Sequence, residues 1–293
     1  MPEAIDSRVA EFEQHRSRLF GLAYRMIGLR ADAEDVVQEA YLRWHAADRD
    51  AINNPEAWLV TVATRISIDH LRSLQASRVS YVGEWLPEPI VDRKTEPRPD
   101  YSLEIRDDIS IAFLYVLQRL GPEERAAFLL HDVLDCDYAT VGETLGKSES
   151  AVRQMVHRAR ERVRTDRPRY EVTEAQHRAI VGRFVEAVQA ADEGALMNLF
   201  AENATWTADG GGKAAAAVNV LRGNAVLTKF MLGLRAKATP GISVDTVDIN
   251  NSPGLLLRVY GKPVATYSFE TDGEHITGVY AVVNPDKLNS VLT

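Results

Sequence analysis

Apolar residues recur at helical spacing through the first 78 residues. Val9, Phe12, Leu19, Leu22, Ala23 and Met26 form one stripe, and Val36, Val37, Ala40, Tyr41 and Trp44 form a second over Ala31–His45. Asn54-Pro55 then punctuates the chain, and Pro55 suits the first turn of a third helix running to about Leu74. Residues 79–105 lose the periodicity and hold Pro87, Pro89, Pro97 and Pro99, the composition of a linker. Helical spacing returns over 106–168. Ile109, Phe113, Leu117 and Leu120 make one face, Gly121-Pro122 stops it, Glu123–Val133 restarts it, and Tyr138–Leu145 is a short helix. Gly146 predicts a tight turn, and Ser148 caps a last helix to about Arg164. From Glu171 the composition changes. Glu174–Asp192 reads as helix, whereas Gly241–Val283 alternates apolar and polar residues. Turns are expected at Ser252-Pro253-Gly254, Gly261-Lys262-Pro263 and Asp272-Gly273, which gives three or four antiparallel strands. The pattern predicts a multidomain chain: all-α domains over 1–78 and 106–168, a Pro-rich linker over 79–105, and an α+β domain over 172–293.

Composition narrows the function classes. With 293 residues, 45% hydrophobic and 26% charged, the chain is ordinary globular protein, not fibrous or disordered. A net charge of −8 excludes a uniformly basic nucleic-acid binder, so charge has to be read by segment. Cys136 stands alone, which excludes an internal disulfide framework, argues against a Cys-based zinc site and fits a reducing compartment. The acidic N-terminus has no apolar signal region, and the run of about 18 apolar residues that a membrane helix needs is absent. A cytoplasmic location with no membrane partner is expected.

Tyr138–Arg164 has the layout of a helix-turn-helix. Gly146 supplies the φ > 0 that the turn requires, and Val141, Leu145, Val152 and Val156 can pack the two helices together. Ser148, Glu149, Ser150, Arg153, Gln154, His157 and Arg158 then fall on outward or partly outward positions. Arg and Gln there suit base edges, and Ser, His and Arg suit phosphates. From Lys147 to Arg169 eight Lys/Arg face three Asp/Glu, a local basic footprint in an acidic chain. The plainer account is a solvated helical face with i,i+4 pairs, for which few acidic partners lie nearby in sequence.

Ala31–Asp50 is the opposite, with six acidic residues and two Arg. Asp32, Glu34, Asp35 and Glu39 favour the helix dipole, but that does not account for the whole string Asp32-Ala33-Glu34-Asp35-Val36-Val37-Gln38-Glu39-Ala40-Tyr41-Leu42-Arg43-Trp44. This string resembles the polymerase-binding helix of bacterial sigma factors of the extracytoplasmic-function (ECF) group. Ala57-Trp58-Leu59 with Ile68-Asp69-His70-Leu71-Arg72 resembles that group's promoter −10 element. Leu120-Gly121-Pro122-Glu123-Glu124-Arg125 with Val152-Arg153-Gln154-Met155-Val156-His157-Arg158-Ala159-Arg160 resembles its −35-reading domain. The resemblance implies a DNA-binding transcription initiation factor whose partners are core RNA polymerase, through the β′ clamp helices and β flap, and promoter DNA. Asp35, Gln38 and Glu39 fall where the family grips the clamp helices. Ala46–Pro55 falls where it captures a flipped −10 base, with Asn53 and Asn54 able either to bond a splayed base or simply to form the turn. Thr64, Arg65, Ser67 and Arg72 fall on the −10-facing helix, with Arg65 where the family often has Asn.

The helix-helix-strand-helix-strand-strand-strand order of 172–293 resembles the SnoaL-like α+β cone. Three strings resemble those of sigma factors carrying this extension: Trp85-Leu86-Pro87-Glu88-Pro89, Asp209-Gly210-Gly211-Gly212-Lys213 and Asn284-Pro285-Asp286-Lys287-Leu288. The resemblance implies a regulatory role in cis, with Trp85, Pro87, Asp209, Gly210, Gly211, Gly212, Lys213, Asn284, Pro285 and Asp286 as candidate interdomain residues. The three glycines are equally readable as a plain turn, and the segment around Trp85 as an exposed tether. His177 and His275 read as surface residues, and Trp206, Tyr260 and Tyr267 as core or pocket lining. No cofactor, metal or catalytic residue is expected. A small ligand of the last domain, a helix-turn-helix regulator that never meets polymerase, and an enzyme tethered to DNA remain as alternatives.

Overall fold

The computed structural model describes residues 2–48, 51–77, 81–92, 109–166 and 170–291. They divide into two compact units: residues 2–48, 51–77, 109 and 116–166 form the first, and residues 81–92, 110–115 and 170–291 the second.

The first unit is helical. α1 (Pro2–Ile27), α2 (Arg30–Ala46) and α3 (Pro55–Ser77) bury the stripes their spacing predicts, with Leu19, Ala23, Met26, Ala33, Ala40, Leu59 and Leu71 wholly excluded from solvent. Asn54 caps α3 by accepting the Ala57 N–H at 3.1 Å. Further on, α4 (Ile111–Leu117) gives its last residues to this unit and α5 (Pro122–Phe128) follows, with Pro122 in its first turn. α5 runs on into a single π-helical turn, Leu129–Val133. The helix-turn-helix is α6 (Tyr138–Leu145) and α7 (Glu149–Asp166). Asp137 caps α6, Gly146 takes φ 64° between the helices, and Val141, Val152 and Val156 are fully buried between them.

The second unit is built on one seven-stranded sheet. α8 (Glu174–Ala190) and α9 (Glu193–Leu199) lead into β2 (Phe200–Asp209), β3 (Leu221–Arg222), α10 (Asn224–Ala236), β4 (Ile242–Ile249), β5 (Ser252–Val259), β6 (Lys262–Thr271), β7 (Ile276–Val282) and a short α11 (Pro285–Leu288). β1 (Val91–Asp92) comes from the stretch the sequence marks as linker and pairs antiparallel with the end of β4, giving the order β1-β4-β5-β6-β7-β2-β3. β2 runs parallel to β7, and the other pairs are antiparallel. One core joins α8, α9 and α10 to the sheet through Phe184, Leu199, Trp206, Leu227, Tyr267 and Phe269. A second core holds Leu86, Val91, Ile111, Ala112, Ile249, Leu256, Tyr280, Val282 and Leu288. Residues 81–92 are therefore built into this unit. The remainder of the expected tether, 93–105, lies outside the described residues.

Two predicted turns sit earlier in the chain than expected, the first by two residues and the second by one. The β4–β5 turn is Asn250-Asn251 and the β5–β6 turn is Tyr260-Gly261. All four take positive φ, as a two-residue hairpin requires, so Ser252-Pro253-Gly254 and Lys262-Pro263 lie in strands. Tyr260 is exposed at its turn, whereas Trp206 and Tyr267 are core.

His177 is half-buried, with Nε2 wholly shielded, rather than on the surface. Burial pushes its pKa below the ordinary 6.5, against a partial offset from its hydrogen bond to the Phe269 backbone. The unfolded chain therefore binds that proton more readily, so stability present above pH 6.5 is lost as pH falls toward the depressed native value. The denaturant midpoint of the second unit should fall between about pH 7 and pH 5, and His177→Gln should flatten that slope. An unchanged slope in the variant would remove His177 as the cause.

Candidate functional site

The candidate residues gather in four places. On α2, Asp35, Gln38, Glu39 and Leu42 are all exposed and follow i, i+3, i+4, i+7 spacing, which puts them on one outward stripe. Arg43 pairs with Glu39 at 2.5 Å, and Leu42, the last of this row, is 60% exposed.

On α3 the structure separates the candidates. Arg65 and Arg72 are exposed, whereas Thr64 and Ser67 are fully buried, and Thr64 Oγ1 donates to the Val60 carbonyl at 2.7 Å. The reason is helical phase: residues 60, 63, 64, 67, 68 and 71 form the buried stripe. Thr64 and Ser67 therefore drop out of the DNA-facing set. Arg65 donates to the carbonyls of Thr144 (3.0 Å) and Glu143 (3.2 Å) at the C-terminal end of α6, where a cation also meets the helix dipole. Arg72 pairs with Asp69 and Glu123, and Lys147 also reaches Glu123. Asn53 and Asn54 are exposed before α3, with the Asn54 side-chain oxygen committed to its cap.

On the helix-turn-helix, Ser148, Glu149, Ser150, Arg153, Gln154, His157 and Arg158 are all exposed. Ser148 Oγ accepts the Ala151 N–H at 3.3 Å. The acidic partners that the sequence neighbourhood lacks come from α5 and its π-turn. Glu124 binds Arg158 (3.1 Å) and Arg162 (2.6 Å), and Asp132 binds Arg160 through both oxygens (2.6 and 2.7 Å).

The three C-terminal strings converge within the second unit. Asp209 is fully buried at the end of β2. Its carboxylate accepts from Tyr81 Oη (2.5 Å), the Leu86 N–H (2.8 Å) and Lys287 Nζ (2.7 Å). Its carbonyl accepts the Val283 and Asn284 N–H groups. Lys287, 5% exposed, also donates to the Leu86 carbonyl at 2.5 Å and stands 3.8 Å from the centre of the Trp85 ring. Asn284 donates to Tyr81 Oη and caps α11 through the Asp286 N–H. Gly211, at φ 57°, passes so close to the Asn284 carboxamide that a side chain would collide with it. Pro87 is buried, Pro285 is exposed, and Lys213 pairs with Asp286 on the surface at 2.5 Å. Gly210 and Gly212 complete the turn beside Gly211, with Gly212 at φ 70°.

A sigma-70 region 2 family model matches residues 12–77, and a sigma-70 region 4 model matches residues 110–163. The ECF RNA polymerase sigma factor SigJ of Mycobacterium tuberculosis is 42% identical over 236 residues, covering 80% of this chain and 75% of that protein. This chain is a member of the ECF RNA polymerase sigma factor family. The probable ECF RNA polymerase sigma factor SigI of the same species is 28% identical over 285 residues, 96% of this chain and 94% of its own. The crystal structure of the Mycobacterium tuberculosis SigJ matches with a TM-score of 0.80 at 34% identity, covering 96% of this chain and 98% of that one.

In this sigma factor, several site residues escape sequence reasoning. Leu42 was legible only as one apolar residue among many, and its exposure emerges from the phase of α2. Lys287 was one letter of a string, and its burial against Asp209 emerges from a contact 78 residues apart. Tyr81 lies outside all three strings yet touches two of them. Among the described residues of the sigma factor, no helix is long and apolar enough to cross a membrane.

Proposed function

We propose a division of labour within this sigma factor. The chain binds core RNA polymerase and directs promoter-specific transcription initiation, as a member of its family. Its outward α2 stripe, Asp35, Gln38, Glu39 and Leu42, meets the β′ clamp helices. Arg65, Arg72, Asn53 and Asn54 serve the −10 element, and Ser148, Glu149, Ser150, Arg153, Gln154, His157 and Arg158 serve the −35 element. The helices that match region 4 also meet the β flap. Because Arg65 and Arg72 are engaged by α6 and α5 in the structure, DNA at the −10 element has to compete for them.

The second unit regulates this activity in cis. The observation that carries the reading is the buried Asp209–Lys287 pair holding Tyr81, Trp85 and Leu86. Those residues lie in the chain between the segments matching regions 2 and 4. Holding them shortens the free tether between two DNA-reading elements, and tether length sets the effective concentration of one element once the other is bound. Asp209, Gly210, Gly211, Gly212, Lys213, Asn284, Pro285 and Asp286 form the clasp, and Trp85 and Pro87 the part clasped. A small ligand would act only by binding the clasped and released states differently. The unit needs no catalytic chemistry in this role.

The test is run-off transcription with purified core polymerase on a promoter library. Start sites that appear only with the chain present support the reading. Core polymerase that neither binds the chain nor gains start sites overturns it.

A further inference from the structure

The arginines of α7 are held in two different ways. Arg158, Arg160 and Arg162 bind the carboxylates of Glu124 and Asp132. Arg153, in the N-terminal part of the helix that reads bases in a helix-turn-helix, also lies against an aromatic face, with its guanidinium carbon 4.3 Å from the centre of the Tyr138 ring. Tyr138 is itself backed by His131, whose ring lies 4.0 Å away at 30°. His131 Nδ1 is 2.7 Å from the Cys136 carbonyl, which makes Nδ1 the protonated nitrogen and fixes the ring plane. Glu149 restrains Arg153 from the other side, at 3.2 Å.

Local sequence explains why this stack exists. Asp137 caps α6 through the Thr140 N–H at 2.7 Å, so Tyr138 is held as the first residue of a defined helix. The π-turn at Leu129–Val133 carries His131 to the Tyr138 ring and Asp132 to Arg160. A free arginine samples many rotamers and loses that freedom when it binds a base edge. A guanidinium already held against a ring and tied by one N–H to Glu149 has lost much of it beforehand.

We propose that Tyr138 is a specificity-determining positioning residue for −35 readout: its ring, backed by His131, sets the direction in which Arg153 reaches a base edge, the ligand being a guanine offering O6 and N7 in the major groove. The proposal rests on the reading of α7 as the −35 helix. It separates Tyr138, which acts through Arg153, from the residues that touch DNA themselves.

The experiment is competition binding by the complex of core polymerase with the full chain. Promoters carrying each single-base change in the −35 element compete against non-specific duplex. Tyr138→Leu is expected to lower discrimination at one base position about tenfold while non-specific affinity holds within about twofold. Tyr138→Phe, which keeps the ring, restores wild-type discrimination, and His131→Ala loses part of it. Arg153→Ala loses discrimination at the same position, and adding Tyr138→Leu to it changes nothing further. Uniform weakening across all sequences by Tyr138→Leu, failure of Tyr138→Phe to rescue, or additive losses in the double variant would each overturn the proposal. Full discrimination by Arg153→Ala would overturn the −35 reading beneath it, and is distinguishable because Tyr138 is then untouched.

Discussion

Replacing Lys287 with Met is expected to destabilise the second unit by about 3–5 kcal/mol, the cost of leaving one member of a buried ion pair without its partner. Asp209 is wholly buried, and Lys287 supplies the cation that pairs with it, besides donating to the Leu86 carbonyl and standing over the Trp85 ring. The Leu86 N–H and the Tyr81 hydroxyl are neutral donors and do not replace that charge. Two consequences follow together. The denaturant midpoint of the second unit should fall, and protease should cut residues 81–92 earlier than in wild type. Changing both partners, Asp209→Leu with Lys287→Met, should recover much of the stability, because no charge is then left buried. It should not recover protection of residues 81–92, whose bonds to the pair are gone. A Lys287→Met variant with wild-type midpoint and wild-type cleavage would show that the clasp holds nothing.

Exchanging Leu42 for Asp is expected to weaken binding to core polymerase by about 100-fold, the scale of losing a central apolar anchor of an interface and placing a charge there. Its exposure of 60% means that folding should be unaffected, so the thermal midpoint of the chain should not move. Leu42→Ala should fall between the two. Fluorescence anisotropy of labelled chain titrated with core polymerase gives both values directly. Equal affinities for wild type and Leu42→Asp would take the α2 stripe out of the polymerase interface.

The helical part of the fold was readable because its signals are local. Periodic stripes gave α1, α2 and α3, and the Gly146 and Ser148 punctuation gave the helix-turn-helix almost residue by residue. The hairpins were readable as elements, and the Asp272-Gly273 turn stands where expected, but the other two turns lie earlier. Gly and Pro drew the turn assignments toward Ser252–Gly254 and Lys262-Pro263, while Asn250, Asn251 and Tyr260 take the positive φ with Gly261. What sequence could not supply was contact between distant segments. The basic face of α7 looked unpaired because Glu124 and Asp132 lie 28 to 38 residues away. Thr64 and Ser67 were candidates because the family resemblance puts them on the −10-facing helix, and the exact phase of α3 against its neighbours buries them. The three C-terminal strings were legible as strings. Their meeting at Asp209, across separations of 78 and 123 residues, is a property of the folded chain alone.

Arg65 illustrates how a site residue can have two claims on it. Its guanidinium is directed at the open carbonyls that end α6, an interaction any exposed arginine can make. The role proposed for it at the −10 element requires that DNA offer more than those carbonyls do.

The measurement that bears most directly on the control of this sigma factor is run-off transcription from one matched promoter, comparing the wild-type chain with Trp85→Ala at equal saturation of core polymerase. Trp85 stacks against Lys287 inside the clasp and lies outside every residue assigned to polymerase or DNA. The account predicts the same start site with a several-fold change in transcript, accompanied by faster proteolysis of residues 81–92. Equal transcript from the two proteins, with residues 81–92 cleaved faster in the variant, would contradict it, since the clasp would then have opened without consequence for initiation.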